Sequence, residues 1–206
     1  MTSISIIGSG KMGAAIAEVA SRAGADIQIL KRSPASMSAA RPGFEYGVIG
    51  DELTGDLVVL AVPSGAYASI LEHYRDRLGG RVVIDISNPI DFSTYDALTS
   101  PADSSTAAEL AKALPEGAAV VKAFNVNLGD TLTSGTNGTT RTSVLFAGDY
   151  ADAKMAVAAL IEAAGMRAVD VGPLTRAREL EAMGFLQIIM AALGKTRYES
   201  GFTLLE

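Results

Sequence analysis

The sequence predicts an α/β fold with a doubly wound, mostly parallel sheet, and three observations predict it. Short apolar, β-branched runs alternate along the chain with segments of helical spacing. The apolar runs are largely continuous, which is typical of parallel strands covered on both faces. A glycine-rich turn joins the first such run to the first helical segment. We therefore expect helices on both faces of one sheet.

The predicted elements keep this alternation along the chain. The run Ser3–Ile7 precedes the helical segment Lys11–Arg22, and a second run follows at residues 26–30. Further strands are predicted at residues 56–62, 81–86, 119–122, 143–147 and 166–171. Further helices are predicted at residues 64–77, 104–114 with Ser104 or Ser105 as N-cap, 149–164 and 174–193. Two polar loops, 87–101 and 127–142, each follow the C-terminal end of a strand, where open α/β sheets bind ligands.

Length and composition exclude several classes of protein. With 206 residues and 49% hydrophobic content, the chain predicts a single domain over residues 1–206, with a small C-terminal helical extension at about 172–206. The formal charge of −6 argues against binding to nucleic acid or to an anionic membrane surface. The absence of Cys excludes disulfides and thiolate metal sites. Because no apolar run approaches the ~20 residues of a membrane span, we expect a cytoplasmic protein without a membrane partner.

The turn after the first predicted strand has the pattern G-x-G-x-x-G at Gly8, Gly10 and Gly13. Between a strand and a helix, these glycines allow a tight turn, a close approach of the backbone to a pyrophosphate, and close packing of helix on sheet. The free N–H groups and the positive end of the helix dipole then bind phosphate. The pattern predicts a Rossmann-type dinucleotide site, which also includes the intervening residues Ser9, Lys11 and Met12.

Two cations end the second predicted strand, where an NAD-binding unit usually has a carboxylate for the ribose 2′-hydroxyl. Lys31 and Arg32 stand at this place, and Ser33 adds a hydroxyl donor. Because Arg grips phosphate bidentately and Lys adds a point charge, the three residues predict a 2′-phosphate site and hence NADP(H) as the cofactor. A short helix is predicted to start at Ser33-Pro34 and to face the same phosphate.

Residues for acid–base, nucleophilic or metal chemistry are not evident in the sequence. The sole histidine, His73, lies in a helical pattern and is interpreted as a solvent-facing residue rather than a catalyst. No cluster has metal-ligand spacing, and no serine has a partnering histidine. A reaction that needs only two redox rings held face to face fits such a sequence, because positioning alone lowers the barrier. We therefore predict no catalytic side chain and no metal site.

The chain resembles the family of NADP oxidoreductases that depend on the deazaflavin coenzyme F420, which also includes the NADPH-binding domain of STEAP metalloreductases. The resemblance covers nearly the whole chain and rests on the segments IIGSGKMGAAIA, DLVVLAVP, VIDISNP, VVKAFN, FAGD and VDVGPLTRARELE. It implies direct hydride transfer between NADP(H) and a second redox cofactor, either coenzyme F420 or a flavin (FMN or FAD). It also implies that the second ring lies beside the nicotinamide.

The resemblance assigns further cofactor-binding residues. It implies a rim along the dinucleotide formed by Ala61, Val62 and Pro63. It implies a border around the nicotinamide and the second ring formed by Ser87, Asn88 and Pro89 together with Phe124, Asn125 and Val126. For Phe124 a place in the core is an equally good interpretation, because an isolated aromatic residue after an apolar strand usually packs inward. Residues 62–63 could simply end a strand.

Two alternatives to this function stay open. The segment GSGKMGAAI also resembles pyrroline-5-carboxylate reductases and β-hydroxyacid dehydrogenases, which predicts an imine or hydroxyacid reductase. Those families add a large helical domain, and residues 172–206 are too few to form one. A non-catalytic NADP-sensing module is the second alternative, since it needs no acid–base residue.

The last predicted helix is apolar over much of its surface. Its apolar residues at helical spacing are Leu180, Met183, Leu186, Ile189, Met190 and Leu193. A buried core helix explains this pattern. The resemblance also implies a twofold partner, so we predict a homodimer.

Overall fold

The structure, a computed structural model, describes residues 2–33 and 41–204. These residues form ten strands and six α-helices. The strands are β1 (Ser3–Ile7), β2 (Asp26–Lys31), β3 (Phe44–Val48), β4 (Leu57–Leu60), β5 (Val82–Asp85), β6 (Ala119–Ala123), β7 (Thr136–Asn137), β8 (Thr140–Arg141), β9 (Ser143–Gly148) and β10 (Arg167–Asp170). The helices are α1 (Lys11–Arg22), α2 (Tyr67–Tyr74), α3 (Thr106–Ala113), α4 (Gly129–Ser134), α5 (Ala151–Ala163) and α6 (Ala177–Ala192). The short helix predicted at Pro34 lies outside the described residues.

Eight of these strands form one sheet in the order β10-β9-β6-β5-β4-β1-β2-β3. Neighbouring strands are parallel throughout except for β6 and β9, which pair antiparallel. Strand β1 lies beside β2 on one side and β4 on the other, so the chain changes direction across the sheet between β1 and β4. The predicted α/β class and its mostly parallel, doubly wound sheet are confirmed.

Successive side chains of the inner strands enter two separate cores, one on each face of the sheet. In β4, Leu57 and Val59 pack in the first core with α1 and α5, whereas Val58 and Leu60 pack in the second with α2 and α3. All four are buried. This is why the strand sequences are apolar without alternation: both sides of each strand are covered.

Most helices begin and end close to their predicted bounds. Helix α1 has the predicted limits, and 3₁₀ turns flank α2 so that the helical region covers residues 64–77. Ser105 caps α3: its side-chain oxygen accepts a hydrogen bond from the Ala108 N–H at 3.1 Å. The N-cap predicted at Ser104 or Ser105 is therefore Ser105.

Four elements were not predicted from the sequence. Strand β3 extends the sheet beyond β2, and the polar loop 127–142 contains helix α4 and the hairpin β7–β8. Helix α4 packs on α1, and the Arg22 guanidinium joins them by donating to the carbonyl oxygens of Leu132 and Thr133, each at 2.7 Å. The interpretation of residues 127–142 as a loop was therefore wrong, because tertiary contacts rather than local propensity order this segment.

Helix α6 crosses the carboxyl-end side of the sheet and is buried along one side, at Leu180, Glu181, Gly184 and Gln187. Residues after it run back over the protein: the Gln187 side-chain oxygen accepts from the Phe202 N–H, and the Asn137 side chain contacts Gly201. None of the helices in the described ranges combines the length and apolar character that crossing a membrane requires.

Candidate functional site

Two adjoining cavities lie at the carboxyl ends of the strands where the chain changes direction across the sheet. The first has a volume of about 670 Å³ and the second about 560 Å³. They share Gly10 and the residues Ala61, Val62 and Pro63 that follow β4. Together they form one continuous cleft, in the position where doubly wound folds bind ligands.

The glycine turn between β1 and α1 forms the floor of this cleft. Gly8 has φ of 112°, and a Cβ there would lie 2.3 Å from the Ala61 carbonyl oxygen. A Cβ at Gly13 would lie 2.2 Å from the Gly8 carbonyl oxygen, whereas a Cβ at Gly10 would meet nothing within 4 Å. Gly8 and Gly13 are therefore needed for the fold, while Gly10 leaves open space on the cleft side. A dinucleotide fits this cradle, since its pyrophosphate can approach the bare backbone at the start of α1.

The first cavity extends from the glycine turn toward the end of β2. Its lining residues are Gly8, Ser9, Gly10, Arg32, Ser33, Ile49, Ala61, Val62, Pro63, Ala66, Ser69, Ile70 and His73. Arg32 and Ser33 are exposed here. His73 is also exposed, and its exposed surface forms part of the cavity lining. Neither Ser69 nor His73 was predicted as a site residue.

Lys31 is placed differently from its neighbour Arg32. Its side chain is buried at 7% exposure, and its ammonium lies 4.7 Å from the centre of the Tyr46 ring on β3. Lys31 is not among the residues that line the first cavity. The sequence analysis assigns both cations to one phosphate site. In the structure Arg32 and Ser33 line the first cavity, whereas Lys31 packs against the Tyr46 ring.

The second cavity is more apolar and lies between the glycine turn, the end of β5 and helix α6. Its lining residues are Gly10, Lys11, Met12, Ala61, Val62, Pro63, Ser64, Gly65, Ile86, Ser87, Asn88, Pro89, Ile90, Phe92, Thr99 and Ile188. The predicted Ser87, Asn88 and Pro89 thus lie on its wall. Phe92, Thr99 and Ile188 were missed, because loop 87–101 and α6 meet only in the tertiary structure.

Phe124, Asn125 and Val126 are buried and are not among the lining residues of either cavity. Phe124 is fully buried within the first core, and its φ of 62° lies in the left-handed region, which is rare for a bulky residue. Asn125 supports the wall from behind: its amide donates to Asn88 Oδ1 at 2.9 Å and to the Leu180 carbonyl oxygen at 2.8 Å. The predicted contact of these three residues with the cofactor rings stays a prediction.

Lys11 is the sole titratable residue among the described residues that line the second cavity. Its ammonium lies 3.1 Å from Asp130 Oδ1 and 5.4 Å from the centre of the Tyr198 ring. The cavity wall is therefore nearly uncharged, apart from one lysine that already has a carboxylate partner.

Behind this wall lies a buried charge cluster, made of Tyr67, Asp85, Lys122 and Glu181. The Lys122 ammonium is 2.9 Å from Asp85 Oδ2 and 3.0 Å from Glu181 Oε1. The Tyr67 hydroxyl donates to Asp85 Oδ1 at 2.5 Å. The cluster also holds the backbone of Ser87: Asp85 Oδ1 accepts from its N–H at 2.8 Å, and the Lys122 ammonium donates to its carbonyl oxygen at 2.6 Å.

Burial changes the acidity of this cluster. Burial raises the pKa of the Tyr67 hydroxyl well above its ordinary value of 10.0, and the neighbouring Asp85 carboxylate raises it further. Burial also raises the pKa of Glu181 above its ordinary value of 4.5, although Lys122 opposes this effect. The Glu181 carboxylate also accepts from the N–H groups of Thr106 and Ala107 at the start of α3. The signal that sequence reasoning missed is the presence of charged residues in the apolar strands β5 and β6.

Relatives of known name match this chain over most of its length. The metalloreductase STEAP3 of Rattus norvegicus is 29% identical over 182 residues, which is 87% of this chain and 36% of that protein. The F420-dependent NADP reductase of Methanocaldococcus jannaschii is 30% identical over 150 residues, which is 68% of this chain and 66% of that protein. The chain thus spans about a third of the first relative and about two thirds of the second.

Solved structures share the same architecture. A crystal structure of a candidate F420-dependent NADP reductase from Arthrobacter sp. FB24 superposes with a TM-score of 0.87, at 25% identity and with both chains fully covered. An imine reductase from Streptomyces aurantiacus has a TM-score of 0.67 at 19% identity, with 94% of this chain and 64% of that one covered, and this likeness concerns the fold alone.

Residues 3–89 match the sequence profile of the family described as NADP oxidoreductase, coenzyme F420-dependent. These residues contain the glycine turn, the end of β2 and the wall Ser87–Pro89, so the match covers most of the cleft. This match and the named relatives, together with the cleft, show that the chain belongs to the family of coenzyme F420-dependent NADP oxidoreductases.

Proposed function

We propose that the protein is an NADP(H)-dependent oxidoreductase that transfers a hydride between NADP(H) and a deazaflavin, coenzyme F420, or a flavin such as FMN or FAD. The observation that carries the proposal is the two-part cleft. One part ends at the cation Arg32, and the other is an apolar chamber joined to it over the bare backbone of Gly10. This shape fits an extended dinucleotide that has a phosphate at one end and a redox ring at the other.

In this proposal the chain's own residues bind and orient, and none of them transfers a proton. The start of α1 holds the pyrophosphate, and Arg32 with Ser33 holds the 2′-phosphate. The nicotinamide lies between residues 61–63 and 87–89. The second ring packs against the apolar wall formed by Ile90, Phe92 and Ile188. When bound, NADPH supplies a hydride, that is, two electrons and one proton, and any further proton that the acceptor needs comes from solvent.

The composition of the second cavity argues against the imine or hydroxyacid reductase alternative. Reduction of a C=N or C=O bond leaves a basic nitrogen or oxygen that needs a positioned proton donor. Among the described lining residues only Lys11 can titrate, and it is paired with Asp130. Transfer between two flat rings needs no such donor, because the acceptor ring distributes the charge over its own heteroatoms.

The purified protein mixed with NADPH and, in turn, coenzyme F420, FMN, FAD and a cyclic imine tests this function. We expect loss of NADPH absorbance with F420 or a flavin. Oxidation with the imine alone would support the reductase alternative. Tight NADPH binding without turnover of any acceptor would support the sensing module.

The contrast between Arg32 and Lys31 gives a matched pair of variants for the cofactor. Because Arg32 lines the cavity and contributes a charge-assisted contact of about 1.5–3 kcal/mol, Arg32→Ala should reduce the preference for NADPH over NADH by about tenfold or more. Lys31→Met should leave the preference within about twofold, because its ammonium lies over Tyr46. Calorimetric Kd values for both dinucleotides measure this, and loss of the preference in Lys31→Met would refute the assignment.

We also propose that the protein is a homodimer through α6. Leu186 on α6 is 51% exposed, and Leu193, which directly follows α6, is 67% exposed. A twofold partner packed against this end of α6 would remove both leucines from water. A double Leu186→Lys, Leu193→Lys variant should be monomeric by light scattering at micromolar concentration, whereas Met155→Lys on α5 should not change the mass. A monomeric wild-type protein would contradict the proposal.

A further inference from the structure

The buried charge cluster has an unequal number of positive and negative groups. It contains one lysine and two carboxylates, so its formal charge is −1 when both Asp85 and Glu181 are ionised. All three side chains are at most 1% exposed, so solvent does not screen them. Hydrogen bonds from Tyr67 and the Ser87 N–H to Asp85 stabilise its ionised form, and the N–H groups at the start of α3 do the same for Glu181.

This negative charge lies immediately behind the wall of the second cavity. The Lys122 ammonium and the Asp85 carboxylate both bind the backbone of Ser87, which is itself a lining residue. Among the described residues that line the cavity, Lys11 alone carries a charge, and its ammonium forms an ion pair with Asp130. No other charged side chain of the described lining therefore offsets the field of the cluster in the second cavity.

We propose that the buried charge cluster makes the second cavity bind the oxidised, positively charged nicotinamide more tightly than the reduced, neutral one. The inference rests on the proposed function, specifically on the nicotinamide lying beside Ser87–Pro89. The two redox forms share the same adenosine, phosphates and riboses. A buried negative charge therefore distinguishes them through the charge of the nicotinamide ring alone.

The proposal has a consequence for the direction of hydride transfer. A site that holds NADP⁺ more tightly than NADPH makes the bound NADPH a stronger hydride donor, because binding favours the product of donation. The hydride and its two electrons leave for the acceptor ring, and NADP⁺ stays in the favoured site. The cluster thus biases the protein toward reduction of its acceptor.

Glu181→Gln tests this inference, because it removes one negative charge and keeps the size of the side chain. Tyr67→Phe is the matched control: it deletes a buried hydrogen bond in the same cluster without changing the formal charge. Kd values are measured for NADP⁺, for NADPH and for adenosine 2′,5′-bisphosphate, which lacks the nicotinamide. The buffer is mildly alkaline, because a carboxylate whose pKa is raised by burial is more fully ionised there than in acid.

The expected result is a change in one ratio only. In Glu181→Gln the ratio of Kd for NADP⁺ to Kd for NADPH should rise on the order of tenfold, which is the effect of unit charges about 10 Å apart at an effective dielectric constant near 20. In Tyr67→Phe the ratio should stay within about twofold of the wild type. Binding of adenosine 2′,5′-bisphosphate should be unchanged in both variants, which a general loss of structure would not allow.

An unchanged ratio in Glu181→Gln, with normal binding of the bisphosphate, overturns the inference and leaves the proposed function intact. A wild-type protein that binds neither dinucleotide overturns both. Should Glu181→Gln not fold, the wild-type ratio is measured from mildly alkaline pH down to the lowest pH at which the protein stays folded. The ratio should rise as the pH falls and Glu181, which faces Lys122, Asp85 and Tyr67, gains a proton. Titration of the 2′-phosphate affects both ligands equally and so does not change the ratio. A flat ratio overturns the inference.

Discussion

At the scale of single residues, the glycine turn shows how identical residues serve different needs. Gly13 is required by the fold, since the Gly8 carbonyl oxygen occupies the space that its Cβ would need. Gly10 is not required by the fold, since apart from its neighbours along the chain no described residue would lie within 4 Å of a Cβ there. The motif assigns Gly13 to packing and Gly10 to the approach of a pyrophosphate, and the space around each glycine agrees with this division.

Alanine substitutions should separate these two roles. Gly13→Ala places a Cβ against backbone, so we expect it to lower the free energy of unfolding by about 1–3 kcal/mol. Gly10→Ala should leave unfolding within about 0.5 kcal/mol of the wild type and weaken NADPH binding at least tenfold, because its Cβ occupies the approach to the pyrophosphate. Urea titration and calorimetry measure the two quantities. Equal destabilisation by both substitutions would contradict the assignment.

At the scale of elements, helix α6 completes the second cavity from outside the sheet. Ile188 lines the cavity, and Gly184 lets the helix approach the wall. A Cβ at Gly184 would lie 2.2 Å from Asn88 Oδ1 and 2.8 Å from the Asn125 carbonyl oxygen. The position of α6 is therefore fixed by direct contact with the pair of asparagines that supports the cavity wall.

We expect Gly184→Ala to lower the free energy of unfolding, although alanine usually stabilises a helix relative to glycine. Propensity alone would stabilise a helical Gly→Ala change by about 1 kcal/mol, but here the new Cβ must displace Asn88 or the helix itself. We expect a net loss of about 1–3 kcal/mol in the free energy of unfolding. Ala182→Gly on the exposed side of α6 is the control and should cost about 1 kcal/mol by propensity alone. A Gly184→Ala protein more stable than the wild type would show that the contact is loose.

At the scale of the whole molecule, the buried charge cluster joins elements that are distant in sequence. Asp85 ends β5, Lys122 lies on β6, Tyr67 begins α2, and Glu181 comes from α6 and accepts hydrogen bonds at the start of α3. Such an ion cluster is costly to desolvate, so it is poor evidence of extra stability. Its hydrogen bonds and ion pairs connect elements that surround the second cavity.

The raised pKa of Glu181 predicts how stability depends on pH. Because the folded protein binds this proton more tightly than the unfolded chain, the group stabilises the fold fully below its ordinary value of 4.5. That contribution is lost as pH rises through the higher pKa of the folded state. Relative to Glu181→Gln, the wild-type free energy of unfolding should therefore fall as the pH rises above 4.5. Urea titrations of both proteins at several pH values measure it, and parallel pH curves would contradict the assignment.

Local signals in the sequence were sufficient for the fold class, for α1 and for the glycine turn. These signals are apolar runs, helical spacing and the positions of Gly8 and Gly13. They involve residues close together along the chain, so they can be recognised without knowledge of tertiary contacts. Strand ends shifted by one or two residues, because hydrogen bonding to the neighbouring strand decides where a strand stops. The predicted cofactor and its family follow from the same local segments.

Only the tertiary structure decided which side chains face the cleft. Lys31 and Arg32 are adjacent in sequence, yet Arg32 lines the first cavity, whereas the Lys31 ammonium lies over the Tyr46 ring of β3, a strand that local pattern does not reveal. Phe92 and Ile188 reach one wall, and Asp85, Lys122 and Glu181 meet behind it, across long separations in the chain. Because both faces of an inner strand are buried, its sequence lacks the polar–apolar alternation that would distinguish the two faces. The surroundings of each side chain are therefore set by the elements that pack against the strand, and these come from distant parts of the sequence.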